Sequence, residues 1–302
     1  MAQYIGRNMN LIGLIDGAVA LVICAILWST GGIFIKNIEW TGLAIAGIRS
    51  LISGSFMLLV TRQGFQFSVR GEKGKMDKIS TLFFWIAALS YALTMILFVA
   101  ANKLTTSANA ILLQYTCPLY IILLAPLLTG EKNLASDYIT VLGVMLGMVL
   151  FFADGLESGN QLGNILAALS GLAYALATIF MRRCRGNSGG AMVLSHLITA
   201  LVCLPFVIQS GAPSPKSAFF LLLVGTLSIG IPSILYTVGI KKVRALTASF
   251  ITMLEPLLNP LWVIIFAGEI PSTKTILGGL LILGFIMVRS VVQNKKGLPE
   301  GQ

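Results

Sequence analysis

Long runs of apolar residues alternate with short polar segments along the whole chain. Each run has roughly 17–25 residues, the length that an α-helix needs to cross a hydrocarbon core about 30 Å thick. The pattern therefore predicts an all-α membrane protein with ten transmembrane helices. We place these helices at 17–36, 42–61, 80–101, 106–129, 137–153, 162–181, 191–210, 217–238, 246–267 and 275–293.

The first run, 17–36, is too long for the apolar core of a signal peptide, and no small-residue cleavage site follows it. We therefore expect it to be a retained transmembrane helix. The one sizeable polar segment between runs, 62–78, is a basic linker. We expect no soluble domain outside the membrane to carry chemistry.

Two of the runs share an internal pattern, which indicates a repeat. Residues 107–131 and 245–269 each contain a proline followed thirteen residues later by glutamate, at an offset of 138. We therefore predict two halves of five helices, 1–155 and 156–302. Because five is odd, the second half is expected to be inverted, which places a binding site near the bilayer midplane between the halves. The paired positions are Pro118 with Pro256, Glu131 with Glu269, Lys103 with Lys241, Ala110 with Ala248, Leu119 with Leu257 and Gly130 with Gly268.

Lysine and arginine are unequally divided between the two sides of the predicted bundle. With the N-terminus in the cytoplasm, 16 of the 21 basic residues fall on the cytoplasmic side and four on the other, and Arg49 lies within a helix. An excess of basic residues marks the cytoplasmic side. We therefore expect a multi-pass protein of the bacterial cytoplasmic membrane with both termini inside. Membrane orientation also explains the net charge of +10, so no nucleic-acid partner is expected.

The composition excludes several classes. The chain is 56% hydrophobic and 11% charged, whereas about a quarter of the residues of a soluble protein are charged. The four cysteines have neither CxxC nor metal-ligand spacing, which argues against a disulfide framework, a metal site or another cofactor. The chain also lacks the GxxxxGK[ST] motif, so we do not expect it to hydrolyse nucleotides by itself.

Four segments carry a resemblance to a known family: 27–36 (LWSTGGIFIK), 46–54 (AGIRSLISG), 101–131 and 243–269. With ten helices and the repeated proline and Gly-Glu pattern, the chain resembles the EamA family of the drug/metabolite transporter superfamily from about 17 to 293. The resemblance implies two inverted five-helix repeats around a central cavity. It also implies export or exchange of small metabolites, often amino acids or their analogues.

Glu255 is the most informative residue, because its carboxylate is predicted about 13–14 Å into the ninth helix, near the midplane. A charge there costs roughly 2.5–3.5 kcal/mol, so it should face a cavity, find a partner or be protonated. Thr252, Asn259 and Trp262 share its helical face and would form a polar stripe that binds substrate. Glu255 is also a candidate for proton coupling. The alternative is an internal partner that merely locks the helices together.

Prolines in these helices free carbonyl groups, because proline has no N–H. Pro256 is expected to free the carbonyl of Thr252, and Pro118 that of Gln114. Such carbonyls must bind protein groups or face a wet cavity. The helices would then be kinked, either along a substrate pathway or simply for packing.

Arg49 and His196 are further polar residues within predicted helices. Arg49 could reach outward, bind an acid or serve a structural role that the family resemblance implies. His196 corresponds to Arg49 in the repeat if one residue is inserted. It is a candidate for proton coupling, although a lone histidine more often makes a hydrogen bond between helices.

Polar-tipped residues in or near the middle of helices complete the candidate substrate site, although packing explains each of them alone. They are Trp28, Tyr91, Gln114, Tyr115, Tyr174 and Tyr236.

We therefore expect a secondary transporter, not an enzyme, that moves amino acids or related amines by alternating access. Its partners would be a small-molecule substrate and the lipid bilayer, and it would be a monomer or a weak homodimer. A carrier for sugars, nucleotide-type or phosphorylated metabolites is the alternative within the superfamily. An intramembrane enzyme lacks a clustered nucleophile and base in this sequence, and a membrane scaffold would leave Glu255 unexplained.

Overall fold

The computed structural model describes residues 15–35, 37–62, 68–69, 76–156, 158, 160–184, 187–267 and 272–295. For 259–260, 263–264, 266–267 and 293–295 it describes the backbone only. Ten helical spans follow one another, each overlapping the corresponding predicted helix. Spans 1 to 5 are Gly17–Ser29 with Gly31–Ile35, Gly42–Thr61, Lys78–Leu104, Ser107–Gln114 with Cys117–Thr129, and Ala135–Phe151. Spans 6 to 10 are Gln161–Arg183, Ser188–Ser210, Pro215–Gly239, Ala245–Thr252 with Leu254–Ala267, and Thr273–Lys295.

Eight spans are long and apolar enough to cross a membrane, while Ala135–Phe151 and Ala245–Leu258 are shorter apolar helices. Large apolar side chains cover the outside of the bundle: Leu127 is 80% exposed and Leu59 is 76% exposed. An apolar outer surface on this scale is suited to lipid rather than water. The expectation of an all-α membrane protein with ten transmembrane helices is confirmed.

Short polar side chains begin most of the spans. The hydroxyl, carboxylate or amide oxygen of each accepts a hydrogen bond from a backbone N–H in the first turn, which satisfies a donor that the helix leaves unpaired. These residues are Asp16, Thr41, Asp77, Thr106, Asn160, Ser214 and Ser272.

Four spans are irregular within the bundle. Span 1 is interrupted at Thr30, span 4 at Tyr115 and Thr116, and span 9 at Met253. In span 8, the residues Val224–Gly230 form a π-helix. The interruptions of spans 4 and 9 fall at equivalent positions of the repeat, because Tyr115 and Met253 are 138 residues apart.

The contacts between spans are the same in both halves when each span is replaced by the span five places along the chain, counting from span 1 again after span 10. Spans 2 and 7, 4 and 9, and 5 and 10 pack against each other. Span 3 packs against span 6, and likewise span 8 packs against span 1. Two halves related by a two-fold axis would give this pattern.

Buried ion pairs join the spans at one end of the bundle. Asp137, with no exposed side-chain surface, accepts hydrogen bonds from Arg244 Nη1 at 3.1 Å and from Arg289 Nε at 2.8 Å. These three residues, here called the Asp137 cluster, link spans 5, 9 and 10. Nearby, Arg182 of span 6 pairs with Glu131, which follows span 4. We call this the basic end of the bundle.

The opposite end carries a different kind of ion pair. Lys274 Nζ lies 2.6 Å from Asp154 Oδ1, and about half of each side chain is exposed to solvent. This pair joins the segment after span 5 to the start of span 10. Because water surrounds both groups, it is expected to contribute little to stability.

Candidate functional site

Glu255 and Tyr115 meet where spans 9 and 4 are interrupted. Tyr115 donates a hydrogen bond from Oη to Glu255 Oε2 at 2.7 Å. The tyrosine is buried, while the glutamate keeps part of its surface accessible. No other described side chain forms a hydrogen bond or ion pair with Glu255. The carboxylate is thus held in place by one donor and retains capacity to bind another.

The carbonyl groups freed by proline face the same region. Thr252 O, which Pro256 leaves without its helical donor, lies 3.5 Å from Tyr115 Oη. The one hydroxyl hydrogen of Tyr115 is directed to Glu255, which is the closer acceptor. Gln114 O, freed by Pro118, lies against the backbone of Gly171 in span 6. Both carbonyls therefore lie where two spans touch.

Thr252 and Glu255 lie on either side of a one-residue irregularity in span 9. A continuous helix was expected to align them on one face, but Met253 separates Ala245–Thr252 from Leu254–Ala267. Tyr115 nevertheless approaches both residues, so the interruption brings them together around one hydroxyl.

Four aromatic side chains pack beside this pair, and we call them the aromatic cluster: Trp28, Tyr91, Tyr174 and Tyr236. Their neighbouring ring centroids are 5.5–6.5 Å apart. Tyr174 donates to Thr252 Oγ1 at 3.3 Å, and the Tyr236 hydroxyl lies 2.8 Å from Thr178 Oγ1. The three tyrosines are buried and Trp28 is partly exposed. The tyrosines form a rigid wall, and Trp28 presents the accessible surface.

The interruption of span 1 is tied to spans 8 and 9. Trp262 Nε1 donates to Ser29 Oγ at 2.8 Å. The next residue, Thr30, has its hydroxyl 2.8 Å from Ser228 Oγ in the π-helical segment. A π-helix is rare and is frequently found at functional sites. These contacts bring Trp262 into the region predicted for the site.

Arg49 and His196 lie on the two packed spans 2 and 7. His196 is fully buried, and its Nε2 lies 3.0 Å from Ser233 Oγ of span 8. A hydrogen bond between helices is the alternative role that the sequence analysis gives for His196. Arg49 is partly exposed, and its Nε has no hydrogen-bond partner in the described part of the chain.

For two predicted site residues, the described part of the chain shows no side-chain hydrogen bond within the site. Gln114 ends the first helix of span 4 and is partly buried, but its side chain makes no hydrogen bond with the described residues. The side chain of Asn259 lies outside the described residues.

The sequence interpretation missed the Asp137 cluster, although one signal was available. Asp137 lies at the boundary of the fifth predicted helix, and Arg289 lies within the tenth. An acid and a base inside apolar segments could have suggested a pair. Within the described ranges, no three His, Cys, Asp or Glu side chains lie close enough to hold a metal ion together.

Comparison with known proteins agrees with this architecture. A transporter of Archaeoglobus fulgidus described as uncharacterized is 26% identical over 90% of this chain and 95% of its own. The uncharacterized transporter YwfM of Bacillus subtilis is 24% identical over 91% and 94%, respectively. A protein crystal structure covering 91% of this chain and 97% of its own superposes with a TM-score of 0.75 at 18% identity, which shows a shared fold. The model of the EamA-like transporter family matches residues 15–153 and again 161–291. The chain belongs to the EamA-like transporter family.

Proposed function

We propose that this transporter moves amino acids or related amines across the bacterial cytoplasmic membrane by alternating access, in export or exchange. The observation that carries the proposal is Glu255, a partly accessible carboxylate deep in the bundle with one hydrogen bond from Tyr115. An ionised carboxylate accepts several hydrogen bonds, so it can bind a substrate ammonium while Tyr115 fixes its position.

The position of Glu255 supports a role in transport. It lies ten residues from the start of span 9, about 15 Å at 1.5 Å per residue, which is half the thickness of the hydrocarbon core. Leaving a charge there is costly, and carboxylates at that depth usually face a pathway. Trp28 offers an apolar, polarisable surface beside it for a substrate side chain or a cation.

The interrupted spans support alternating access. Discontinuous helices at the midplane commonly form the substrate site of secondary transporters, and short irregular segments absorb the backbone rotation of a moving element. Here spans 1, 4, 8 and 9 are irregular and are joined through Trp262–Ser29, Thr30–Ser228 and Tyr115–Glu255. These hydrogen bonds would therefore transmit a movement of span 9 to spans 1 and 4.

The proposed orientation places the basic end in the cytoplasm, with both termini on that side, as the charge bias favours. The protein would act as a monomer or a weak homodimer. Glu255 is also the proposed site of proton coupling.

A ligand panel followed by transport tests the function. Purified protein is screened in a thermal-shift assay against amino acids, amines, sugars, nucleotides and phosphorylated metabolites. Each compound that raises the melting temperature is then tested for uptake and counterflow in proteoliposomes. We expect amino acids or amines to stabilise the protein and to be transported, with empty liposomes as the control. Transport of sugars, nucleotides or phosphorylated metabolites alone would assign the substrate to another class.

A further inference from the structure

Arg49 is a cation within the bundle that has no anionic partner among the described residues. Among the described residues it forms no hydrogen bond or ion pair through its side chain, and its Nε is buried. Arg244 and Arg289, by contrast, are both paired with Asp137. A buried N–H without an acceptor costs free energy. Charged side chains inside a membrane bundle commonly mark a substrate or ion pathway.

Arg49 and Glu255 lie at neighbouring depths. Arg49 is seven residues into span 2, about 10 Å from the end opposite the basic end. Glu255 is twelve residues before the last residue of span 9, about 18 Å from that same end. The backbone of Arg49 packs against Gly225 of the π-helix, and this same segment contacts Thr30 at the interruption of span 1. By helix position, the two residues differ by about 8 Å in depth along the bundle axis.

We infer that Arg49 binds the carboxylate of a zwitterionic substrate whose ammonium group binds Glu255. A guanidinium group offers two parallel donors to a carboxylate, and a carboxylate accepts charge-assisted hydrogen bonds from an ammonium group, so the two residues can bind the two charged ends of one α-amino acid. This inference rests on the proposed function and narrows it from amino acids or amines to compounds with both charges.

The proposal gives Arg49 a role in specificity that a structural arginine would not have. A ligand without a carboxylate leaves Arg49 unpaired, and this loss distinguishes an amino acid from the amine obtained by decarboxylation. A structural Arg49 would support the bundle equally with either ligand. The selectivity between the two ligands is therefore the informative quantity.

The test compares leucine with isoamylamine and phenylalanine with phenethylamine, using binding to the purified protein. In the wild type, we expect each amino acid to bind at least about 10-fold more tightly than its amine. Arg49→Gln is expected to weaken amino-acid binding by about 10- to 100-fold while changing amine binding by less than about threefold. Arg49→Lys retains the charge and should preserve part of the preference. Lys103→Gln removes one positive charge from an exposed residue at the end of span 3 and should change neither affinity.

The outcomes separate this inference from the function on which it rests. If neither ligand of either pair binds to the wild type and other compounds do, the proposed function fails. If both bind but Arg49→Gln weakens amino acid and amine equally, Arg49 is not the carboxylate site, although the proposed function stands. If Arg49→Gln does not fold, the wild-type comparison decides: an amine that binds as tightly as its amino acid overturns the inference.

Discussion

At the scale of single residues, the hydrogen bond from Tyr115 makes Glu255 a fixed acceptor rather than a mobile charge. Glu255→Gln keeps the size and the contact with Tyr115 but removes the group that can exchange a proton. If Glu255 couples protons without binding the substrate itself, this variant should lose transport driven by a pH gradient while binding and counterflow continue. The measurement is uptake into proteoliposomes with and without a pH gradient.

Two other outcomes give Glu255 a different role. Loss of substrate affinity, at most about 2–5 kcal/mol, would show that the carboxylate binds the ammonium group directly. A lower melting temperature with unchanged transport per folded molecule would show a structural residue and contradict both proposed roles. Tyr115→Phe provides a matched variant, because it removes the 2.7 Å hydrogen bond and leaves the carboxylate in place.

The chemistry of single residues could be predicted better than their pairing. Glu255 was identifiable because an acid inside an apolar run is expensive wherever the helix packs. Its contact with Tyr115, 140 residues away in the chain, depends on how spans 4 and 9 meet, which hydropathy does not encode. The same limitation concealed the pairing of Asp137 with Arg244 and Arg289.

At the scale of helical elements, the Asp137 cluster holds spans 5, 9 and 10 together. Asp137→Asn would leave two buried arginines without their anion, and we expect it to destabilise the fold by about 3–5 kcal/mol. Replacing all three residues with apolar side chains of similar size should restore much of that loss. Melting temperatures in the same detergent test both expectations, and a single variant as stable as the wild type would contradict the first.

Asp154 provides an exposed control for the buried Asp137. The hydrogen bond from Lys274 holds the pKa of Asp154 below its usual value. Its contribution to stability is therefore present above the unfolded-state pKa of about 3.9 and is lost as the pH falls through the lower folded-state value. At pH 7, Asp154→Asn should change the melting temperature far less than Asp137→Asn, because water surrounds the exposed pair.

Gly171 lets span 6 approach the interruption of span 4. A Cβ at this position would lie 2.7 Å from Gln114 O and 2.9 Å from Leu113 O, both backbone atoms. We expect Gly171→Ala to displace span 4, lower the melting temperature and weaken ligand binding, despite the better helix propensity of alanine. Gly284→Ala in span 10 meets nothing within 4 Å and should be neutral or stabilising by up to about 1 kcal/mol. Equal behaviour of the two variants would contradict this packing.

Helix positions could be predicted from the sequence, whereas their interruptions could be predicted only in part. The prolines indicated which carbonyls lose a donor, but not that the regular helical hydrogen bonding would be interrupted at Met253. The π-helix at Val224–Gly230 has no proline within it, and its signal is confined to small residues such as Gly225 and Ser228. The π-helix also makes hydrogen bonds with Thr30 of span 1 and Ser53 of span 2, which the sequence of this segment does not encode.

At the scale of the whole molecule, orientation can be tested with two single cysteines. A cysteine at Ser158, which is exposed, should react with an impermeant thiol reagent added outside intact cells, whereas one at Ser68 should react only after permeabilisation. The basic end would then lie in the cytoplasm. The four native cysteines are buried, so the unmodified protein is the control. Labelling of both positions from the same side would contradict the proposed orientation and the inverted repeat.

Arg49 and Glu255 bring opposite charges to neighbouring depths of the bundle, and this has an electrical consequence. An empty site and a site holding a zwitterion have the same net charge, so the membrane potential does no net work on the substrate during turnover. A proton carried on Glu255 would add one charge, on which the potential acts with about 2.3 kcal/mol per 100 mV. Exchange of amino acids should therefore be insensitive to voltage, and proton-driven net transport should respond to it.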